Sequence, residues 1–307
     1  MASNTSELPN AVSGDRRNID TPSGLISFYR SDIARIAPPD ATRPLLLIHS
    51  INAAGSSYEV RPIYEHFRRG RTVYSVDLPG FGFSERSDRV YFARLMIDAI
   101  HAMVAEIRRV HGEHPIDALA LSLSSEFLAR AASERPGDFR SIALVSPTGF
   151  NSGAPYRQPP GTTRARPAFY RILRFPLWDR GLYRALTTRW SIRYFLERTW
   201  GSKAIDEGML DYDYRTTHQP GARFAPYYFV SGYLFSLDIT RVYESLKMPV
   251  WLSHGIRGDF QDYSYAAEFS LRPNWTITEF PTGALPQFEV PADFMRRYSG
   301  FLDRISQ

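Results

Sequence analysis

Ala118-Leu119-Ala120-Leu121-Ser122-Leu123-Ser124-Ser125 runs an apolar stretch of strand length straight into a helical one through small residues. A serine in so sharp a strand-to-helix turn is held in a strained conformation, with its hydroxyl exposed above the sheet. The residues two before and two after it must be small, because strand and helix approach closely there. The usual pattern is Gly-x-Ser-x-Gly, and here Ala120 and Ser124 occupy the glycine places. Ser122 is therefore a candidate nucleophile; the duller use of a serine at this point is as a helix N-cap.

Working outward, apolar runs of strand length alternate with helical stretches, which predicts a mostly parallel sheet covered by helices. The strands are expected at Leu25–Arg30, Pro44–Ser50, Thr72–Asp77, Ile116–Leu121, Ser141–Val145, Pro249–His254 and Trp275–Phe280. Their near-continuous apolar character is what burial on both faces of a parallel sheet demands. Helices are expected at Tyr91–His111, Ser124–Glu134 and from about Ala292 to Ile305, the last with Pro291 in its first turn. The alternation stops between 151 and 247, a stretch dense in aromatics and without a clear strand, expected as a helical cap over the sheet. Residues 1–20 are polar and are expected as a flexible leader, which leaves 21–150 and 248–307 as the core.

Two upstream segments add context: Leu45-Leu46-Leu47-Ile48-His49-Ser50-Ile51-Asn52, and Val76-Asp77-Leu78-Pro79-Gly80-Phe81-Gly82-Phe83-Ser84. In order with the serine turn, they resemble the α/β-hydrolase superfamily: a His-Gly-x turn, then an Asp-x-Pro-Gly-x-Gly-x-Ser loop, then the nucleophile elbow. Ser146-Pro147-Thr148-Gly149, after the next strand, fits the same resemblance, which covers about 44–150 and 248–307. It implies an α/β-hydrolase fold of the capped serine hydrolase type and an oxyanion hole built from the backbone amides of Ile51 and Leu123. Ser50 replaces the glycine of the first turn, so it either strains that turn or presents a hydroxyl to the pocket. His49 and His254 look like turn residues rather than bases.

In the same superfamily the triad acid follows the next-to-last strand in a His-Gly-x-x-Asp turn. Here His254-Gly255-Ile256-Arg257-Gly258-Asp259 makes Asp259 the best candidate, one residue late, with Asp262 second; the alternative is a loop aspartate paired with Arg257. The histidine belongs after the last strand in a Gly-His-x-Pro turn, and this chain reads Gly283-Ala284-Leu285-Pro286, with Glu289 completing the frame. Alanine cannot take the serine proton or protonate a leaving group, so the usual acyl-transfer cycle lacks its base. Three accounts fit: a His→Ala change made to silence the enzyme, another group serving Ser122, or a ligand-binding pseudoenzyme. His218 and Glu126 are the candidate substitutes. A helix-end histidine and a glutamate satisfied by the helix dipole are their plainer readings.

The bulk numbers set bounds. Hydrophobic residues make up 43% and charged residues 22% of 307 residues, ordinary for a globular protein, and no apolar run approaches a membrane span. The absence of cysteine excludes a disulfide framework, a thiol nucleophile and a thiolate metal site, and fits a cytoplasmic address. No metal-ligand cluster or cofactor motif appears, so no cofactor is implied. The net charge of +5 is concentrated: nine arginines lie between Arg164 and Arg198 against Asp179 and Glu197 alone. That excess suits an acidic group on the substrate or contact with a membrane surface, and a solvated helix face is the plainer account; no nucleic-acid motif accompanies it.

Function is therefore expected among three classes. The first is a serine hydrolase or acyltransferase (esterase or thioesterase-like) acting on a small hydrophobic carbonyl compound through Ser122, with an incomplete triad. The second is a noncatalytic binding protein. The third is a cofactor-free lyase or isomerase, since this scaffold hosts many chemistries.

Overall fold

The computed structural model describes residues 8–31, 43–152 and 156–306. Its centre is one sheet of eight strands: β1 (Asp15–Thr21), β2 (Gly24–Arg30), β3 (Leu45–Ile48), β4 (Val73–Val76), β5 (Ile116–Leu121), β6 (Phe139–Val145), β7 (Val250–Gly255) and β8 (Trp275–Phe280). The spatial order is β1-β2-β4-β3-β5-β6-β7-β8. β1 and β2 pair antiparallel, as do β2 and β4; every later pairing is parallel. β3, β4, β5 and β7 are buried at every position, which is why their sequences are continuous apolar runs rather than alternating ones.

Helices cover both faces. Between the core strands come α1 (Arg61–Phe67), α2 (Ala93–His111) and α3 (Ser124–Glu134). Between β6 and β7 lie α4 (Pro167–Leu173), α5 (Asp179–Leu186), α6 (Arg189–Trp200), α7 (Glu207–Thr217), α8 (Phe224–Val230) and α9 (Ile239–Ser245). α10 (Ala266–Phe269), α11 (Pro286–Glu289) and α12 (Pro291–Arg304) complete the chain. α2 buries Leu95, Met96, Ala99, Ile100, Met103, Val104 and Ile107, the i, i+3, i+4 spacing of one helix stripe, against β3–β6 and α3. On the opposite face, Phe294, Tyr298, Phe301 and Leu302 of α12 pack with Trp251 and Phe280. The inserted helices join this second core through Leu196, Trp200, Met209 and Tyr212.

One expectation needs correction. The stretch expected as a loose leader is ordered from Leu8 onward: residues 15–20 belong to β1, and Leu8, Ala11 and Val12 are buried against Tyr29 and Tyr64. Its backbone is held by side chains, with Tyr29 Oη accepting from the Ala11 N–H and Tyr212 Oη donating to the Pro9 carbonyl. The apolar residues that do this are too few and too widely spaced to form a pattern. Residues 1–7 of that expectation lie outside the described residues.

Because β3 to β8 run parallel, the ends that feed Ser50, Ser122, Ser146, the 256–259 loop and the Gly283–Ala284 loop share one edge of the sheet. Ligand sites in such sheets form at that carboxyl edge.

Candidate functional site

Ser122 sits at φ 49°, in the left-handed region that a side chain rarely adopts. Its N–H donates to the Val145 carbonyl at 2.8 Å, extending the β5–β6 ladder by one residue, while its carbonyl accepts from the Ser125 N–H and opens α3. The strain is thus fixed by hydrogen bonds on both sides of the residue. Ala120 and Ser124 are fully buried, and the Ser124 hydroxyl has no partner, as expected of a residue placed for smallness. The Ser122 hydroxyl itself receives and donates no hydrogen bond among the described residues.

The two backbone amides expected of an oxyanion hole follow β3 and β5, neighbouring strands that end on the same sheet edge. Neither the Leu123 N–H nor the Ile51 N–H has an acceptor among the described residues, although both residues are buried. A buried, unpaired N–H is rare and invites an acceptor from a ligand. The turn carrying Ile51 is rigid. His49 accepts the Leu78 N–H on Nε2, so Nδ1 carries the proton it gives to the Ser50 carbonyl, and the ring has no capacity left for a base's role. Ser50 lies outside the positive-φ region; its N–H and hydroxyl both donate to Glu59, and Asn52 donates to Ser50 Oγ and Glu59. The hydroxyl that replaces a glycine here is therefore tied to a buried carboxylate rather than straining the turn. Sequence reading missed Glu59, because a single acid nine residues downstream has no recognisable spacing.

The Asp77–Ser84 loop is built around Asp77, whose carboxylate accepts from the Ser57 N–H and hydroxyl and from the Phe83 N–H. Gly82, at φ 50°, passes so close that any Cβ would fall on that carboxylate. Arg86 then donates to the Gly82 carbonyl and to the carbonyl and hydroxyl of Thr216, which joins this loop to α7.

The expected acid and the candidate substitute bases are each engaged by other groups. Asp259 does not turn toward Ser122 by any hydrogen bond; its carboxylate takes the Arg198 Nε at 2.5 Å in a surface pair, and its N–H donates to the Arg198 carbonyl. The proposed pairing with Arg257 is also absent, since Arg257 engages Glu289. Asp262 is at the surface, where hydrogen bonds from Ser152 and Ser264 hold its carboxyl far below the usual range. His218 caps α7 from outside: it is exposed, bonds the Tyr214 carbonyl at 2.7 Å and lies on the Tyr214 ring. Glu126 is buried, but its carboxylate accepts from the Thr148 hydroxyl and the Ser236 N–H, and burial pushes its pKa up to about 7.

Ala284 lies beneath the C-terminal end of α6. Its N–H donates to the Thr199 carbonyl, its carbonyl accepts from Ser146 Oγ, and Gly283 N–H donates to Glu289. Ser146 is the second non-glycine residue at positive φ, 48°, at the end of the strand next to the elbow. His254 stacks on Tyr263 with ring centroids 4.3 Å apart. One further group was not foreseen: Asp213 of α7 is buried, and burial, with the charges of Glu59 and Asp206, raises its pKa well above the usual carboxylate value. Among the described residues no group of three or more His, Asp or Glu side chains is arranged to hold a metal.

The sequence matches the model of the alpha/beta hydrolase family over residues 45–297, which span the strained serine, the turn after β3 and the Asp77 loop. The chain belongs to the alpha/beta hydrolase family. No curated protein matches its sequence. Solved structures with the same fold include a serine hydrolase involved in carbazole degradation, 15% identical, covering 95% of this chain and 99% of that one with a TM-score of 0.71. A thermophilic esterase from Thermogutta terrifontis is 15% identical, with coverages of 96% and 100% and a TM-score of 0.69. A meta-cleavage product hydrolase from Pseudomonas fluorescens IP01 is 14% identical, with coverages of 94% and 97% and a TM-score of 0.67. At such identities these likenesses speak to the hydrolase fold alone.

Proposed function

We infer that this alpha/beta hydrolase-family protein acts on a hydrophobic carbonyl compound, such as an ester or thioester, through Ser122. The carbonyl oxygen sits on the Ile51 and Leu123 amides, and the inserted helices form the cap. The observation that carries this reading is a serine locked at positive φ on the same sheet edge as the backbone amides of two buried residues that have no acceptor among the described residues. Strain held by the surrounding ladder and left unrelieved is characteristic of positions where geometry serves chemistry. Attack by Ser122 on the carbonyl carbon would place negative charge on the oxygen, which the two amides stabilise. The serine proton has no imidazole to receive it, so acylation is slow. A general base contributes about 10²–10⁴ in rate.

A fluorophosphonate probe tests the reading. The wild-type protein labels slowly at Ser122, Ala284→His labels faster by about a hundredfold or more, and Ser122→Ala does not label at all. Absence of labelling in Ala284→His overturns the reading.

A second reading is a noncatalytic binding protein, favoured by the Ser122 hydroxyl having no hydrogen-bond partner and by Asp259 being held by Arg198. Turnover of a panel of aryl esters that vanishes in Ser122→Ala excludes it.

A further inference from the structure

The inserted helices carry a surface whose composition neither the fold nor the Ser122 site explains. Among the described residues, sixteen large hydrophobic side chains are exposed, and nine of them fall between Phe169 and Phe195. Scattered exposed hydrophobics are normal; such a concentration is not. Leu177 is 83% exposed and Trp190 78% exposed, values at which most of a side chain faces outward. The residues are held together rather than dangling. The Phe175 and Trp178 rings meet at 4.6 Å, Trp178 Nε1 donates to the Ile172 carbonyl, and Trp190 stacks along α6 on Tyr194. α4 buries only Leu173, and α5 buries only Asp179 and Tyr183, so these two short helices lie along the surface with most of their circumference outward.

The same segment is where the arginines collect; Arg164 lies over the Tyr156 and Phe235 rings, and the other eight divide into two groups. Arg174, Arg189, Arg193 and Arg198 are committed to Asp88 and Asp179, Asp211, Glu207 and Asp259. Arg166, Arg171, Arg180 and Arg184 are exposed and have no carboxylate partner among the described residues. Of the two acids of the segment, Asp179 is buried between Arg174 and Arg223, and Glu197, half-buried, neighbours Arg193 and pairs with none of the four. Unpaired guanidinium groups interleaved with exposed Trp, Phe, Leu and Ile side chains are what a membrane interface selects. The apolar groups enter the boundary between headgroups and acyl chains, the indole rings settle at headgroup level, and the cations meet lipid phosphates. A second copy of this chain suits the surface poorly, because a symmetric contact would bring unpaired arginines against unpaired arginines. No described helix is long and apolar enough to cross a membrane, so the contact is peripheral.

We propose that the α4–α6 face of the inserted helices is a docking surface for anionic lipid membranes. The proposal concerns the outward side of these helices and holds whether or not Ser122 turns a substrate over.

The test is co-sedimentation of the full chain with phosphatidylcholine vesicles, with and without phosphatidylglycerol, read as bound protein rather than activity. The chain sediments with the phosphatidylglycerol vesicles, far less with phosphatidylcholine alone, and is released by high salt. The double variant Arg180→Glu/Arg184→Glu binds at least about tenfold more weakly, in line with roughly 1 kcal/mol for each lost basic contact. Leu177→Ser/Trp190→Ser also loses binding. All four positions are exposed, and thermal melts matching the wild type confirm that each variant is folded. Failure to sediment with phosphatidylglycerol vesicles overturns the proposal, as does equal binding by folded variants. So does a solution dimer, by analytical ultracentrifugation, that dissociates in Leu177→Ser/Trp190→Ser while vesicle binding is absent.

Discussion

Glu126 shows how a residue that reads as routine in sequence acquires a distinct character in the fold. A glutamate in the first turn of a helix ordinarily faces water and complements the dipole. Here it is fully buried and links three segments: α3 through its own backbone, the loop after β6 through the Thr148 hydroxyl, and the end of the insertion through the Ser236 N–H. Burial raises its pKa from 4.5 to about 7, against the hydrogen bonds from Thr148 and Ser236 and the charge of Arg164. A carboxyl whose folded pKa is raised binds more protons in the folded state between pH 4.5 and 7. Stability therefore falls as pH rises through that window, by an amount of order 3 kcal/mol. Glu126→Gln mimics the protonated form: its amide donates to Thr148 Oγ1 and its carbonyl accepts from Ser236. Urea unfolding should show the two proteins nearly matched at pH 5 and the variant more stable at pH 8. Burial also lowers the pKa values of His66 and His111, but those titrations are common to both proteins and cancel in the difference. Parallel stability curves for the two proteins would show that Glu126 does not titrate in this range.

At the scale of elements, the site is assembled by contacts between segments far apart in the chain. The C-terminal end of α6 rests directly on the loop after β8: the Thr199 and Trp200 carbonyls lie where a Cβ on Gly283 would project. Gly283 has no positive φ, so Gly283→Ala introduces no backbone strain of its own and reports on the contact alone. The added methyl must push α6 away and weaken the Ala284 N–H bond to Thr199. Overpacking of this kind costs about 1–3 kcal/mol, measurable as a lower urea midpoint with an unchanged slope. An unchanged midpoint would mean that α6 yields freely.

This scale also marks what the sequence made legible. β5 and α3 fall at the expected residues, because two-sided burial and helical spacing are local patterns; β8, an edge strand buried only in part, falls there too. β1 escaped because five of its seven residues are exposed on an edge, so no apolar alternation marks it. The Gly283-to-Glu289 frame was visible in sequence, and the bond between its two ends explains why it reads as a unit. The partners of Asp259 and Ser50, and the burial of Asp213, were not. Those depend on which side chains tertiary packing brings together, Arg198 from 61 residues away in the first case.

Across the whole molecule, the sheet separates two ends with different tasks. The carboxyl edge holds the strained Ser122 and the unpaired amides; the opposite edge is held by Asp117, at the start of β5 and fully buried. Its carboxylate accepts two bonds from Arg140, one from Arg71 and one from the Ser141 hydroxyl, tying β5 to β6 and to the approach to β4. The same two arginines line a cleft of about 750 Å³ together with Arg43 and His66. Burial alone would raise the Asp117 pKa, but the Arg140 hydrogen bonds, the Arg71 charge and the Ser141 hydroxyl outweigh it and hold the value below 3.8. A depressed carboxylate contributes stability that is present above its unfolded pKa and lost as pH falls through its folded one. Asp117→Asn turns an amide toward two guanidinium groups and leaves both without their counter-charge. Breaking one side of a buried ion pair costs about 3–5 kcal/mol. The loss should be seen in full in urea unfolding at pH 7 and still at pH 5, and the gap to wild type should narrow only below about pH 4. A gap that closed already between pH 5 and 7 would mean that a group other than Asp117 holds this edge together. A variant that still labels at Ser122, with a lowered urea midpoint, would show that the two edges are energetically separable.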